Sequence, residues 1–497
     1  MQPTTSILWM VTCAAAAGCG GSTASSPTDA GVDAAPRPAF SDLLTVTDVV
    51  LNQAVATRLV ADGAAVAPNA PVVASRAGMV RVFVKPAKLW KARKVDATLH
   101  LTLDGAEVGV LTDQRLISGA SKSEVVSSTF NFRLTAEQVQ PGTSFTVVLH
   151  DSLLPADQPD AKLTFPGDGA DPIPFGARKG TENVKLRLVP VRYDTDGSGR
   201  LPSTTTQQLQ RYRDTVFKMY PTANVDLTVR EAMPWSQAID PDGTGWDEVL
   251  NALIDLRVQD KAPADVFYIG AFQPAASLQE FCMQGGCVLG IAPLAGPMDI
   301  AERVALIEGF AGQRGPNTLN QELAHAMGRA HAPCGGAGGP DPKFPYPEAG
   351  IGDWGYDILG DNFIDPSAYF DFMGYCEPIW ISDYTFSALF TRIAFISQAN
   401  VVGSKGPRPF QSFLVDPKGA PRFGRRMTFT AMDPAPGGPT VSYLASDGHV
   451  ITTVTGNYLP YDSVAGGMLF APEPDQPFAR VRIEGLSAKG GVELKRP

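Results

Sequence analysis

Histidine is scarce in this chain, with five residues in 497, and cysteine is little commoner at six. Three of the histidines, His100, His150 and His449, stand far apart, while His325 and His331 share one short stretch. There is no long basic run, and the net charge is -10, which argues against nucleic acid or an anionic membrane surface as a partner. A hydrophobic content of 44% over 497 residues excludes a disordered chain and allows about three domains.

No Lys or Arg precedes the first apolar run, Ile7 to Gly18, which is too short to span a bilayer. It reads as a targeting segment that stands outside the fold. Ala16-Ala17-Gly18-Cys19 resembles a bacterial lipobox, with Ala16 where a larger aliphatic residue is more usual, so residues 1–19 read as a lipoprotein signal peptide with Cys19 acylated after cleavage. A plain secretory signal is the alternative. Residues 20–38, rich in Ser, Ala, Asp, Gly and Pro, cannot bury enough apolar surface to order themselves and read as a disordered tether. The expected location is the bacterial cell envelope, reached by export and held by the lipid, or the medium if the signal is a plain one.

The stretch Gln321-Glu322-Leu323-Ala324-His325-Ala326-Met327-Gly328-Arg329-Ala330-His331 follows the spacing His-Glu-x-x-His-x-x-Gly-x-x-His at every defining position except the first. On a helix, positions 321 and 325 lie one turn apart on one face, so their side chains can converge on one ion with Glu322 beside it as general base. Gly328 lets the helix stop, and the reversed chain can bring in His331 as a further ligand. Downstream, Asp371-Phe372-Met373-Gly374-Tyr375-Cys376 places a Met two residues before a Tyr. Together these motifs resemble the metzincin zinc peptidases, with Met373 and Tyr375 in the Met-turn. Arg329-Ala330-His331-Ala332-Pro333-Cys334 and Trp380-Ile381-Ser382-Asp383-Tyr384-Thr385 are similar to the bacterial branch related to secreted mucinase-type metalloproteases. The resemblance covers roughly residues 181–395 and is specific only within the motifs. It implies one catalytic Zn2+ held by His325 and His331, with Gln321 at the remaining ligand position and Glu322 taking a proton from the activated water. Tyr375 would donate to the oxyanion or simply pack in the turn, and Met373 would support the site from below.

Gln321 leaves two readings open. Its neutral amide oxygen is a weak zinc donor beside imidazole, and losing even an outer-sphere partner typically costs roughly 10 to 100-fold in metal affinity. Alternatively, Thr318-Leu319-Asn320-Gln321 fits a capping box that folds Gln321 back onto the helix start.

Export would let thiols pair. With Cys13 and Cys19 set aside, four remain: Cys282 and Cys287 can bridge a tight loop, and Cys334 and Cys376 flank the presumed metal site. These are the expected disulfides, since a structural zinc site of all four does not suit the spacing.

The rest of the chain divides by periodicity. Val80–Val84, Val95–Leu103, Ser127–Leu134 and Phe145–Leu149 alternate or run apolar, and Asp104-Gly105 marks a hairpin, so residues 39–175 read as an N-terminal β-sandwich. His100 falls on the polar face of its strand. Residues 181–398 mix strands at Val184–Tyr193, Val225–Arg230 and Val266–Phe272 with helices at Thr204–Tyr220 and Trp246–Val258. Alternation of this kind argues a mostly parallel sheet with helices packed on it, and Arg303–Phe310 reads as its edge strand, where the resemblance implies binding of extended substrate. Asp194-Thr195-Asp196-Gly197-Ser198-Gly199 starts like a calcium loop, but Thr205 stands where the bidentate Glu belongs, so a plain turn is favoured. Cys334–Asp365, with Phe344, Tyr346, Trp354 and Tyr356, reads as a cleft rim, or as surface packing. Short alternating runs at Met427–Thr430, Val450–Val454 and Ala479–Ile483 give residues 402–497 as a C-terminal β domain.

The expected class is therefore α+β and multidomain, with a metzincin-like domain between two β modules. The expected activity is hydrolysis of peptide bonds in extracellular proteins or glycoproteins by a membrane-anchored zinc metalloendopeptidase weakened at Gln321. Two readings compete with it: an inactive pseudoprotease lipoprotein that keeps the cleft for binding, and a purely structural β-rich envelope lipoprotein.

Overall fold

Alternating apolar residues pair off into strands along the first third of the chain. In the computed structural model, which describes residues 38–155, 158, 161–167, 169–283, 287–398, 408–429, 437–486 and 490–497, two antiparallel five-stranded sheets face each other there. One contains Leu44–Asn52, Gly78–Pro86 and Phe130–Leu134; the other contains Arg93–Leu103, Ala106–Ile117 and Ser144–Asp151. Val80, Val82 and Val84 of the first meet Leu99, Leu101 and Val147 of the second in one buried cluster. Asp104 (φ 51°) and Gly105 (φ 80°) make the tight turn that joins two of the strands, both central residues having the positive φ such a hairpin requires. His100 points outward, its Nδ1 3.0 Å from Glu107 Oε2. Cys19 and the expected leader 1–19 lie outside the described residues, as does all of the tether except Pro38.

The middle of the chain holds β1 (Val184–Tyr193), α1 (Thr206–Met219), β2 (Val225–Val229), β3 (Met233–Trp235), α2 (Trp246–Gln259), β4 (Val266–Phe272), β5 (Gly290–Ile291), β6 (Val304–Glu308), α3 (Arg314–Ala326) and α4 (Asp383–Ser397). The strands form a sheet in the order β2-β1-β4-β6-β5, with β3 also on β1. β1 pairs in parallel with β2, β3 and β4, and β4 with β6, whereas β5 runs antiparallel to β6. The expected edge strand at Arg303–Phe310 is therefore an inner one, flanked by β4 and β5. The edge falls to β5, whose two residues are too few to leave a periodic signature. Every residue of β4 and β6 is buried, as strands covered on both faces must be.

The C-terminal segment adds two antiparallel four-stranded sheets. β7 (Asn457–Pro460) and β8 (Gly467–Pro472) lie in the first of them, beside Arg408–Val415 and Pro421–Phe429. Phe410, Leu414, Met468 and Phe470 join Trp246, Leu250 and Leu253 of α2 in a single buried cluster. At the other end, Ala54, Val55 and Val73 share a cluster with Leu186 of β1 and Val216 of α1. The cores thus run across the boundaries near 175 and 400, and Ala39–Pro497 forms one unit.

Among the described residues, strand accounts for 39%, in many small antiparallel sheets, and helix for 17%. This corrects the expected class. The protein is mostly β, and the partly parallel sheet with its helices is a minority element rather than the metzincin-type centre of an α+β molecule.

A buried arginine joins the first module to the second. Arg76, 1% exposed, donates from Nη1 to the carbonyls of Tyr220 and Thr222 and from Nη2 to those of Phe217 and Lys218. These carbonyls close the end of α1, where no further turn of helix can pair with them.

Candidate metal centre

Helix α3 carries the first part of the site. Leu319, Leu323 and Ala326 bury its apolar stripe, and the same winding brings Glu322 and His325 inward, at 2% and 0% exposure. The helix begins at Arg314, because Pro316 sits in the first turn, where its missing N–H costs nothing. Thr318 and Gln321 are thus interior to the helix, which corrects the capping-box reading of Gln321. The helix stops at Gly328, φ 82°, where Arg329 N–H bonds to Ala324 O at 2.9 Å and Gly328 N–H to His325 O at 2.7 Å. This pair of bonds is the usual left-handed helix end, and it turns the chain so that His331 comes back beside His325.

The two imidazoles stand 4.5 Å apart between ring centroids. His325 Nδ1 bonds to Arg329 O at 2.6 Å, and His331 Nδ1 to Gly338 O at 2.7 Å. A carbonyl can only accept, so both Nδ1 atoms carry hydrogen, and in the neutral rings both Nε2 atoms carry lone pairs. Neither Nε2 has a hydrogen-bond partner, although both are buried. Burial, more than the neighbouring charges, lowers His325 to about 4, so the neutral ring is the form expected at ordinary pH.

Asp462 completes the group. It lies in the turn between β7 and β8, in the C-terminal segment, and its side chain is fully buried. Its Oδ2 is 3.4 Å from His325 Nε2, and ligand atoms of His325, His331 and Asp462 all lie within 4.8 Å of one another. Among the described residues, this is the group of three or more His, Cys, Asp or Glu side chains arranged to hold an ion. Glu322 shares a hydrogen bond with Asp462 and leaves its Oε2 unpaired. Burial, then the adjacent Asp462, holds the Glu322 carboxyl well above the usual carboxylate range. Gly290 of β5 admits this carboxyl, since a Cβ there would come within 2.5 Å of Glu322 Oε1.

A cavity of about 350 Å³ opens beside the group, lined by Gln321, Glu322, Val288, Gly290, Tyr375 and Ser463 among others. The Tyr375 ring stands edge-on to His331 at 5.0 Å, and burial raises its hydroxyl to about 12. Gln321 Nε2 is buried there without a partner. Met373 is 1% exposed, and its carbonyl accepts from Ala332 N–H at 2.9 Å. Buried Asp371 fixes that turn by accepting from the Met373 and Ser382 N–H groups, both at 2.9 Å. Cys334 is bonded to Cys376 and Cys282 to Cys287, and Cys287 and Cys376 both line the cavity.

Several candidates stand apart. His150 bonds to Pro155 O and His449 to Asp447. In the calcium-like loop, Arg200 pairs with Asp196, while Asp194 Oδ1 accepts from Gly199 N–H, so a turn is what forms there. Phe344, Tyr346, Trp354 and Tyr356 do not line this cavity. Phe344 packs on Tyr346 and Tyr384, Tyr356 packs on Phe363, and Trp354 lines a separate cavity with Arg58 and Arg81. Sequence reasoning missed Asp462. Its one signal was indirect, a two-histidine cluster in need of an anionic ligand, and nothing in the sequence near residue 462 marks it.

No family model matches the chain, and no curated protein matches it. Among solved structures, matches include a calcium-binding mutant of Bacteroides uniformis beta-glucuronidase 2 (9% identity, 47% of this chain and 28% of that one, TM-score 0.14). Others are a beta-glycosidase from Bacteroides vulgatus (9% identity, 92% and 65%, TM-score 0.17) and a putative beta-galactosidase from Bacteroides fragilis (12% identity, 92% and 73%, TM-score 0.15). The chain spans only 28% of the first of these proteins, and at such TM-scores the likenesses carry no argument about its activity. No metzincin family model matches, and the described residues are mostly β rather than built on a helix-packed parallel sheet. The assignment to the metzincins is accordingly corrected, and with it the reading as a zinc metalloendopeptidase or an inactive pseudoprotease.

Proposed function

We propose that this protein binds one divalent metal ion, with zinc the best fit, between His325 and His331. The observation that carries the reading is the pair of buried Nε2 atoms, each left with a bare lone pair because its Nδ1 is committed to a carbonyl. A metal-bound imidazole usually donates its other ring N–H in this way, which fixes its tautomer and aim. Leaving two such nitrogens unpaired in a buried site would otherwise cost free energy with no return. Imidazole with carboxylate suits zinc better than calcium or magnesium, which prefer all-oxygen sets.

A bound zinc ion supplies Lewis acidity and lowers the pKa of a coordinated water. In that setting Glu322, which lines the cavity and has a free Oε2, would hold or accept a proton at that atom. Tyr375 would present its hydroxyl to a ligand in the cavity. The proposal includes export with acylation at Cys19, readable by mass spectrometry of the membrane fraction. Metal analysis of the purified chain tests the centre itself: about one zinc per wild-type chain is expected, and none in His331→Ala. Equal metal content in the two would overturn it.

A further inference from the structure

We propose that Asp462 is the third protein ligand of this centre, supplied by the C-terminal β segment in place of the imidazole absent at Gln321. The inference rests on the metal-binding reading above and adds to it a residue outside the motif.

The argument begins with the contact between Asp462 and His325. With His325 Nδ1–H given to Arg329 O, it is Nε2 that faces Asp462 Oδ2, at 3.4 Å. An imidazole nitrogen and a carboxylate oxygen at this separation can both reach one dication seated between them. His331 Nε2 presents a third lone pair within 4.8 Å of both. Two imidazoles and one carboxylate are a common protein ligand set for a zinc ion that keeps a fourth position for another molecule.

The carboxylate is held in place from outside the cluster. Its Oδ1 accepts from Ala292 N–H at 2.7 Å, and Ser463 Oγ donates to Oδ2. The backbone of the turn is joined to the middle segment on both sides of Asp462: Leu294 N–H bonds to Pro460 O at 3.1 Å, and Asp462 N–H to Ala292 O at 3.3 Å. Asn457 Nδ2 adds a bond to Asp299 Oδ1 at 3.1 Å. The turn therefore meets residues 292–294 in a fixed register, and Asp462 enters the cluster as a preset group. Gln321 could offer only a neutral amide oxygen, whereas Asp462 brings the negative charge that a two-imidazole zinc site otherwise lacks.

The consequence is that metal and C-terminal segment hold each other. The test uses the full-length chain as wild type, His331→Ala and Asp462→Asn. Asparagine keeps the Oδ1 acceptor for Ala292 N–H and so preserves the turn. Zinc affinity is measured by chelator competition, Co2+ is used as a spectroscopic probe of ligand set, and hydrogen exchange over residues 457–472 is followed with and without chelator. Expected results are at least about a tenfold loss of zinc affinity in Asp462→Asn, by analogy with outer-sphere losses, and an altered Co2+ visible spectrum. Chelator should speed exchange at 457–472 in wild type and leave it unchanged in Asp462→Asn. In that Asn background, Gln321→His should recover affinity by restoring a third strong donor. Undiminished or tighter zinc binding in Asp462→Asn, with His331→Ala metal-free, would overturn the inference and make Asp462 a cover rather than a ligand. Wild type without zinc would instead remove the metal-binding reading on which it rests.

Discussion

The Nε2 atom of His325 and the Oδ2 atom of Asp462 lie 3.4 Å apart with both side chains fully buried, although the two residues belong to different segments of the chain. The contact brings α3 of the middle segment against the turn between β7 and β8 of the C-terminal segment.

Gly328→Ala should destabilise the protein by about 1 to 3 kcal/mol, since it would place a side chain at φ 82° with its Cβ 2.8 Å from Ala295 O. Because this residue turns the chain from His325 toward His331, zinc affinity should fall as well. Denaturant titration and chelator competition read the two effects separately. A variant as stable as wild type would show that the helix end tolerates a Cβ.

Replacing Cys334 and Cys376 together by Ser opens a cross-link across a sequence separation of 42. The chain-entropy model puts the loss near 4 kcal/mol. The double variant should therefore unfold at clearly lower denaturant than wild type, measured without reductant. An unchanged midpoint would mean that the turn around Met373 is held by Asp371 and packing alone.

Glu302 gives a pH dependence. Burial, then the nearby Asp299, raises its carboxyl from 4.5 to about 8. Between those values the folded chain keeps a proton that the unfolded chain has released, so this group's contribution to stability falls as pH rises from about 4.5 to about 8. Glu302→Gln should flatten that slope and be relatively more stable at pH 8 than at pH 5. Parallel melting curves for both proteins across this range are the check, and identical slopes would refute the assignment.

Arg76→Met should cost about 3 kcal/mol or more, because four carbonyls of residues 217–222 lose a charged donor while remaining buried or part-buried. The loss should appear as faster hydrogen exchange at the end of α1. Protection there equal to wild type would count against the arginine as the group that closes the helix.

Part of this structure was legible in the sequence for identifiable reasons. Val184–Tyr193 and Val266–Phe272 are strands over the residues read, since alternation in the first and an unbroken apolar run in the second leave few alternatives. His325 and His331 come together because helix pitch and one glycine govern their separation, and both are encoded within eleven residues. What could not be read depends on distance along the chain. Asp462 is an ordinary aspartate in a turn until the C-terminal sheet docks on α2. The inner place of β6 depends on β5, two residues too short to leave a pattern. The capping-box pattern at Thr318 falls inside α3, because the helix already begins at Arg314 with Pro316 tolerated in its first turn. The expected α+β class does not hold because the two flanking β modules outweigh the helices of the middle segment.

Arg76 also implies an order of assembly. Its module precedes residues 217–222 in the chain, so a sandwich that folds as it emerges holds a guanidinium bonded to Gln53 O, with its other donors left to water. Until α1 arrives, that face has to stay wet, and the apolar residues Ala54, Val55 and Val73 near it cannot be fully covered. The first module is then a template waiting for the next segment of chain, and the end of α1 is the piece that shuts it.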